Sequence, residues 1–337
     1  MPILRGLSGI FALATSILLA PLSADHANSQ EPRHFSFGYD QPHSTGYGIA
    51  GDIFAAKLAD LSHGSMLIDQ FPGAQLGQEP QMLQKIRTGD IDFMISSTAN
   101  AATVSPESGV LSLHYIFRSE DQLIRAIGDP RLVAAVKEMF ADTVKDGHVL
   151  ALASLGLRDM YGKKEVHKVD DLRGEKVRVQ ATPTEDTVFP AYGSQTVHMP
   201  FGSVYTSLQT GVVAFAENGV NVYDSNKHYE VAPVLSMTGH EANNSVLWVS
   251  DKVWQSLSDE QKKWVDAAAA EVGQKEPAQA IALDHKSLDR LRKLGVKIVT
   301  DVDKESFIKI AEPLQDKLAE GLGPHAVKIL QITRDIH

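Results

Sequence analysis

Arg178 is the residue whose placement offers the most definite chemistry. It stands near the end of Lys176–Gln180 (KVRVQ), a stretch read as a strand, and the strand ends of an open α/β sheet point into the ligand crevice. A guanidinium is permanently charged and presents a planar fork that pairs bidentately with a carboxylate. The plain alternative is a surface salt bridge to Glu175 or Asp171, since an arginine between Val177 and Val179 can face either side of a sheet. Glu79, just before Pro80 at an expected helix start, either caps that helix or accepts hydrogen bonds from a ligand. His43 occupies the first strand–helix loop, and Ser97 and Thr98 end the strand-like IDFMIS run. Each of these also has a bland reading as a solvated or structural side chain.

Catalytic patterns are missing. The 13 histidines are scattered, with no HExxH and no pair at zinc spacing, and there is no GxSxG elbow or Walker loop. The chain contains no cysteine, which removes disulfides, thiol nucleophiles and cysteine metal sites. No catalytic residue, metal or cofactor is therefore expected. Gly46-Tyr47-Gly48-Ile49-Ala50-Gly51 does match GxGxxG. A dinucleotide fingerprint needs its first glycine at the strand end, so that the pyrophosphate meets a helix N-terminus. Here Asp40–Thr45 intervenes and Gly48 and Gly51 fall inside a helical pattern, so these glycines are read as letting a helix approach the sheet closely.

The 337 residues carry a formal net charge of −10 with 43% apolar side chains. That suffices for one large domain or two medium ones with a proper core. An acidic chain without a basic stripe argues against nucleic acid as a partner. At the N-terminus, Arg5, an apolar run from Ile10 to Ala20, then Pro21 and Ala24 describe a secretory signal peptide over residues 1–24. Cleavage after Ala24 predicts an exported, periplasmic protein, and no other segment approaches the ~20 apolar residues of a transmembrane helix.

The elements that must position these residues alternate. Strands are expected at His34–Tyr39, Met66–Phe71, Ile91–Ile95 and His148–Ser154, with helices around 49–61, Pro80–Arg87 and Arg131–Lys145. A second series follows: strand Lys176–Gln180, helix Thr184–Tyr192, strand Gln195–His198, helix Ser203–Gln209, strand Val212–Ala216. Alternation of this kind predicts parallel sheets covered by helices, and two series predict two α/β lobes. Asp259–Arg292 reads as one long helix, kinked at Pro277, able to cross between them.

Four strings carry a family resemblance: FPGAQLGQEPQMLQKIRTGDIDFMISS (Phe71–Ser97), VDDLRGEKVRVQ (Val169–Gln180), MPFGSVYTSLQTGVVAFAEN (Met199–Asn218) and KHYEVAPVLSMTGH (Lys227–His240). In order and spacing they closely resemble the solute-binding subunits of TRAP (tripartite ATP-independent periplasmic) transporters, from about His34 to the C-terminus. The resemblance implies a periplasmic-binding-protein-like fold of two lobes closing like a venus flytrap. Lobe I is expected over residues 31–155 and 244–283, and lobe II over 156–243 and 284–337. It also implies a monomeric receptor that binds a small carboxylate, most often a hydroxy or sugar acid, and passes it to integral-membrane permease subunits. By resemblance Arg178 clamps the ligand carboxylate and Arg158 supports it; the alternative for Arg158 is a solvated arginine at a turn. Asn218 matches an asparagine that hydrogen-bonds the ligand, although Ala214-Phe215 and Gly219 depart from the family pattern around it. Phe201 matches an aromatic lining the pocket, Glu79 takes the place of an acceptor for ligand hydroxyls, and His114 stands where many relatives have proline. Asn221 and Tyr223, after the asparagine, are further candidates for a bulky ligand. The rival readings are an exported receptor of another transport or sensing system and an extracytoplasmic enzyme acting on carboxylates.

Overall fold

The computed structural model describes residues 31–336. The expected signal peptide over residues 1–24 and its cleavage point lie outside the described residues. Among those described, no helix is long and apolar enough to cross a membrane.

The first half of the chain forms β1 (Arg33–Gly38), α1 (Gly46–Leu61), β2 (Met66–Phe71), α2 (Glu79–Thr88), β3 (Phe93–Ser97), α3 (Thr98–Ala101), α4 (Glu120–Ile127), α5 (Pro130–Thr143) and β4 (Gly147–Gly162). The second series is β5 (Lys176–Val179), α6 (Pro183–Ala191), β6 (Gln195–His198), α7 (Val204–Thr210), β7 (Phe215–Asn218) and α8 (Val220–Ser225). The chain then returns through β8 (Val234–Ser250), α9 (Asp251–Ser256), α10 (Asp259–Lys293), β9 (Lys297–Val299), α11 (Lys304–Leu322) and α12 (Pro324–Arg334).

The fold is the two-lobed periplasmic-binding-protein type, with one departure from the expected sheets. Strand order is β2-β1-β3-β8-β4-β7-β5-β6, with β9 alongside β8, so the two half-sheets are hydrogen-bonded into one path. The short strands pair in parallel within each half, as the alternation requires, whereas β4 and β8 run antiparallel to each other. The reason is connectivity: β4 carries the chain from the first half to the second and β8 carries it back. Both are long, 16 and 17 residues, where the sequence reading stops the first at Ser154 and sees no strand in the second. Between Ser154 and Leu157 the pairing slips, and Gly156 there has φ +84, a left-handed conformation that disfavours a side chain.

Apolar side chains fill both faces of each half. Phe37, Phe54, Phe93 and Val272 join α1 and α10 to one face of the first half, and Met82, Met139, Trp248 and Leu330 cover the other. Val177, Phe189 and Phe307 cover one face of the second half, and Val204, Tyr223 and Leu291 the other. The glycines of the GxGxxG string do bring α1 close to its neighbours: a Cβ on Gly51 would sit 2.1 Å from the Gln70 Oε1 atom. Helix α10 starts at a Ser258–Gln261 capping box and continues through Pro277 for 35 residues, about 50 Å. It buries Val265 and Val272 in the first half and Leu291 in the second. The C-terminal helix departs from the expected lobe II. Ala326, Ile329 and Leu330 of α12 pack in the core that holds Leu132, Val136 and Met139 of α5, because that apolar face finds its complement there.

Candidate ligand-binding site

Arg178 is buried at the end of β5, 2% exposed, between the core valines Val177 and Val179. Its Nε and Nη2 both donate to the Met199 carbonyl oxygen, at 3.2 and 2.9 Å. The guanidinium carbon lies 5.9 Å from the Phe201 ring centroid, within cation–π range. Among the described residues no carboxylate oxygen lies within 4.0 Å of it, so neither Glu175 nor Asp171 is its partner. Burial disfavours its charge and lowers its pKa; Glu217 is the largest influence in the other direction.

Around Arg178 is a small cavity lined also by Asp40, Gln41, Tyr47, Glu79, Ser97, Asn100, Arg158, Gln180, Phe201, Asn218 and Asn243. Six of the sequence candidates thus come together: Arg178, Arg158, Asn218, Phe201, Glu79 and Ser97. Their states differ. Arg158 is fully engaged by the protein: Nε and Nη2 both meet the Glu217 carboxylate, Nη2 also donates to the Glu217 carbonyl at 3.0 Å, and Glu241 lies 3.4 Å from Nε. Burial opposes its charge, but Glu217 and Glu241 outweigh that and its pKa is raised. Asn218 ends β7, two residues beyond the expected end of the strand at Ala216. Its Oδ1 accepts from Gly219 N at 2.9 Å and from Asn243 Nδ2 at 2.7 Å, which leaves its NH2 group as the donor facing the cavity.

Glu79 is 3% exposed and begins α2 rather than capping it; Gln78 holds the cap position. Its Oε2 accepts from Ser97 N at 3.0 Å, Ser97 Oγ at 2.8 Å and Asn100 Nδ2 at 2.7 Å, while Oε1 accepts from Tyr47 OH at 3.1 Å. Asp40 is its neighbour. Burial, then the charge of Glu79, push the Asp40 carboxyl well above the usual range, and its Oδ1 accepts from Gln41 Nε2 at 3.1 Å.

The other candidates are elsewhere. His43 is half exposed, paired with Asp52 at 3.0 Å on α1. Thr98 is buried and donates to the Asn244 carbonyl oxygen. Asn221 is tied by its NH2 to Ser287 Oγ and by its backbone N–H to Asp284, and Tyr223 donates to Ala232 O inside the core. His114 is buried beside His240 and Glu185, away from the cavity. Asp40, Gln41, Tyr47, Asn100, Gln180 and Asn243 were not singled out by sequence; Gln41 and Asp40, directly after β1, are the ones a rule about strand ends would have found.

The space between these side chains is only about 20 Å3. That is room for a water-sized group, against several hundred Å3 for a small-molecule site. Bonds across the cleft hold it narrow: Gln180 Nε2 donates to Ser97 Oγ at 2.7 Å, Gly202 N to Gln78 Oε1 at 3.0 Å, and Asn226 Nδ2 to Gln41 Oε1 at 3.1 Å. A larger groove of about 310 Å3, lined by Arg118, Glu120, Asp159, Asp284 and Lys304, mixes both signs of charge, and its Arg118 is paired with Glu312.

The DctP family model, bacterial extracellular solute-binding protein family 7, matches residues 37–321. The 2,3-diketo-L-gulonate-binding periplasmic protein of Escherichia coli is 27% identical over 87% of this chain and 88% of its own. A TRAP periplasmic solute-binding protein of Chromohalobacter salexigens, solved with bound D-glucuronate, is 28% identical with a TM-score of 0.82, covering 90% of this chain and all of the other. The sugar-acid-binding protein of Advenella mimigardefordensis, solved with galactonate, is 26% identical with a TM-score of 0.84, covering 91% and 99%.

Proposed function

The chain belongs to family 7 of the bacterial extracellular solute-binding proteins, the TRAP type, and from that premise we propose that it captures a monocarboxylic sugar acid in the periplasm. It hands the acid to membrane permease subunits, acts as a monomer and performs no chemistry on its ligand. The observation that carries this reading is Arg178: a buried cation facing the cavity whose fork meets only one backbone carbonyl. A ligand carboxylate matches that fork bidentately and supplies the missing counter-charge.

The rest of the lining supports hydroxyl-bearing acids over dicarboxylates. Gln41, Asn100, Gln180, Asn218 and Asn243 bring amide groups to the lining, and Tyr47 a hydroxyl. The only other lining guanidinium, Arg158, is occupied by Glu217. A second ligand carboxylate therefore meets Glu79 instead of a free cation. Glucuronate and galactonate, bound by the two structural relatives, have the pattern this lining fits.

Net charge is no obstacle, because exposed charges beyond roughly 8–10 Å are screened at physiological salt. Entry requires the lobes to part. We place the division at the slipped pairing around Gly156 in β4 and the facing stretch of β8, with lobe I at 31–155 plus 244–283 and lobe II at 156–243 plus the chain from 284 through α11. Helix α12 travels with lobe I, on the core it shares with α5.

A thermal-shift screen tests the reading. Ligand at 100 Kd stabilises a folded receptor by about 2.7 kcal/mol, so uronates or aldonates should raise the unfolding midpoint while succinate does not. Stabilisation by C4-dicarboxylates alone, or conversion of any bound acid into product, overturns it.

A further inference from the structure

Behind the cavity, on the far side of Arg158, lies a second polar cluster that sugar-acid capture does not use. His114 and His240 stack at 4.9 Å between ring centroids, and both are 1% exposed. Glu185 from the first turn of α6, Glu217 at the end of β7 and Glu241 on β8 surround them, and each is 3% exposed or less. The His114 Nε2, the His240 Nε2 and both Glu185 carboxylate oxygens have no hydrogen-bond partner. Leaving one such buried group bare costs about 1–3 kcal/mol, and four converge here.

Each imidazole is oriented from behind. His114 Nδ1 meets the Tyr192 hydroxyl at 3.0 Å and His240 Nδ1 meets Thr238 Oγ1 at 2.7 Å, which turns both Nε2 atoms inward. Ligating histidines are held in this way, their second nitrogen fixed by an outer partner. One ring nitrogen of each histidine and a Glu241 oxygen lie within 4.8 Å of one another, and Glu185 Oε2 is 3.6 Å from His114 Nε2. Tetrahedral bonds of about 2.0–2.2 Å to a central ion need the wider pairs to close by up to about 1.4 Å, shared between two side chains that rotate. Charge points the same way. If all three carboxylates facing the one guanidinium, Arg158, are ionised, they leave an excess of two negative charges that a dication cancels.

We propose that this cluster is a divalent transition-metal site of the zinc type, with His114 Nε2, His240 Nε2 and carboxylate oxygens of Glu241 and Glu185 as ligands. Two imidazoles with carboxylates select zinc-like ions over calcium or magnesium, which take all-oxygen sets. The ion is structural: four protein groups surround it and the cavity lies beyond Arg158. Because Glu217 and Glu241 also hold Arg158, the ion fixes the wall against which a ligand is clamped. The competing solution is that two protons neutralise Glu185 and Glu241, whose carboxyls burial pushes up, Glu185 to about 8.

The test is metal analysis of untagged protein, stripped with chelator, exposed to zinc and gel-filtered. One zinc per chain should remain in the wild type and none in His114→Gln/His240→Gln, with cooperative unfolding kept. Tyr192→Phe, which touches only the outer nitrogen of His114, should weaken zinc binding about tenfold to a hundredfold. Cobalt loaded in place of zinc should give the intense visible bands of a four-coordinate ion in the wild type, a readout that stands even where the double variant fails to fold. No retained zinc, equal zinc in the double variant, or a cobalt spectrum of the hexa-aqua type overturns the site.

Discussion

Arg158 and Arg178 line the same cavity, are equally buried, and have opposite relations to the protein. Arg158 meets the Glu217 carboxylate with two nitrogens and has Glu241 beside it. Arg178 has a backbone carbonyl, an aromatic face and no carboxylate within 4.0 Å among the described residues. Desolvating an ion costs several kcal/mol, recovered only through a well-placed counter-ion and hydrogen bonds. Arg158 recovers that cost within the fold, and on the proposed reading Arg178 leaves it to be recovered by a ligand. Two arginines of similar burial thus differ in the partners the protein gives them, which burial alone does not show.

The comparison is broken most forcefully by removing each guanidinium in turn. Arg158→Ala strands Glu217 and Glu241 in the interior, and breaking one side of a buried pair costs about 3–5 kcal/mol. Urea unfolding of the ligand-free protein should show that loss, and adding Glu217→Gln should restore part of it. Arg178→Ala should leave the ligand-free fold within about 1 kcal/mol of wild type, since the hydrogen bonds to Met199 and the contact with Phe201 are lost together with a buried charge that has no counter-ion within 4.0 Å. Its damage falls on binding: affinity for the sugar acid should drop by a factor on the order of 10²–10³. Arg178→Lys should fail almost as badly, because an ammonium has no fork. Calorimetry showing near-wild-type affinity in Arg178→Ala removes the assignment of this residue as the clamp.

A histidine near Arg178 sharpens the contrast by a smaller amount. His228 is buried, its Nδ1 2.9 Å from the Tyr161 hydroxyl and its ring stacked on Phe201 at 5.4 Å. Burial, then the positive charge of Arg178, depress its pKa from 6.5 to about 3. With the folded pKa below the unfolded one, the unfolded chain takes up a proton first. Stability is therefore complete above pH 6.5 and lost as pH falls from 6.5 towards 3. One proton is worth about 1.4 kcal/mol per pH unit, so the wild type should lose about 2 kcal/mol more than His228→Gln between pH 7 and pH 5. Equal losses in the two proteins would mean that the His228 pKa is not depressed in the fold.

How much of this was legible in the chain follows from what local pattern can encode. Alternation gave nearly every strand and helix of the two series, and the position of Arg178 near a strand end pointed to the crevice. Local pattern could not show that the protein itself engages Arg158, because Glu217 and Glu241 reach it only through the pairing of β4 with β7 and β8. Asn243 and His240 were illegible for another reason. They lie in MTGHEANN, a polar stretch that reads as a loop, yet it forms the middle of β8, whose polar side chains are buried against one another. The His114–His240 pair is assembled from a loop before α4 and a strand far beyond it, so no scan for ligand spacing sees it. Strand β7 slipped because Gly211 ends α7 in the left-handed conformation and Val212 stays exposed, delaying the strand to Phe215.

The smallest expected effect lies at the rim of the cleft, where neither arginine takes part. Gln78 Oε1 accepts from Gly202 N at 3.0 Å, joining the start of α2 to the turn before α7, and Gln78 is not among the cavity-lining residues. This bond exists only while the two sides are together. An intramolecular hydrogen bond of this kind contributes about 1 kcal/mol net, so Gln78→Ala should shift the open–closed balance by roughly fivefold. Since every ligand needs closure, the affinity loss should be about the same for uronates and aldonates, in contrast to lining substitutions, which alter their ratio. X-ray scattering should show a larger radius of gyration for the ligand-free variant than for the wild type, and the same compact radius once ligand saturates both. If Gln78→Ala instead changes the preference between acids while the free radius stays put, the rim bond reads the ligand rather than the closure, and the division between gate and clamp must be redrawn around Gln78.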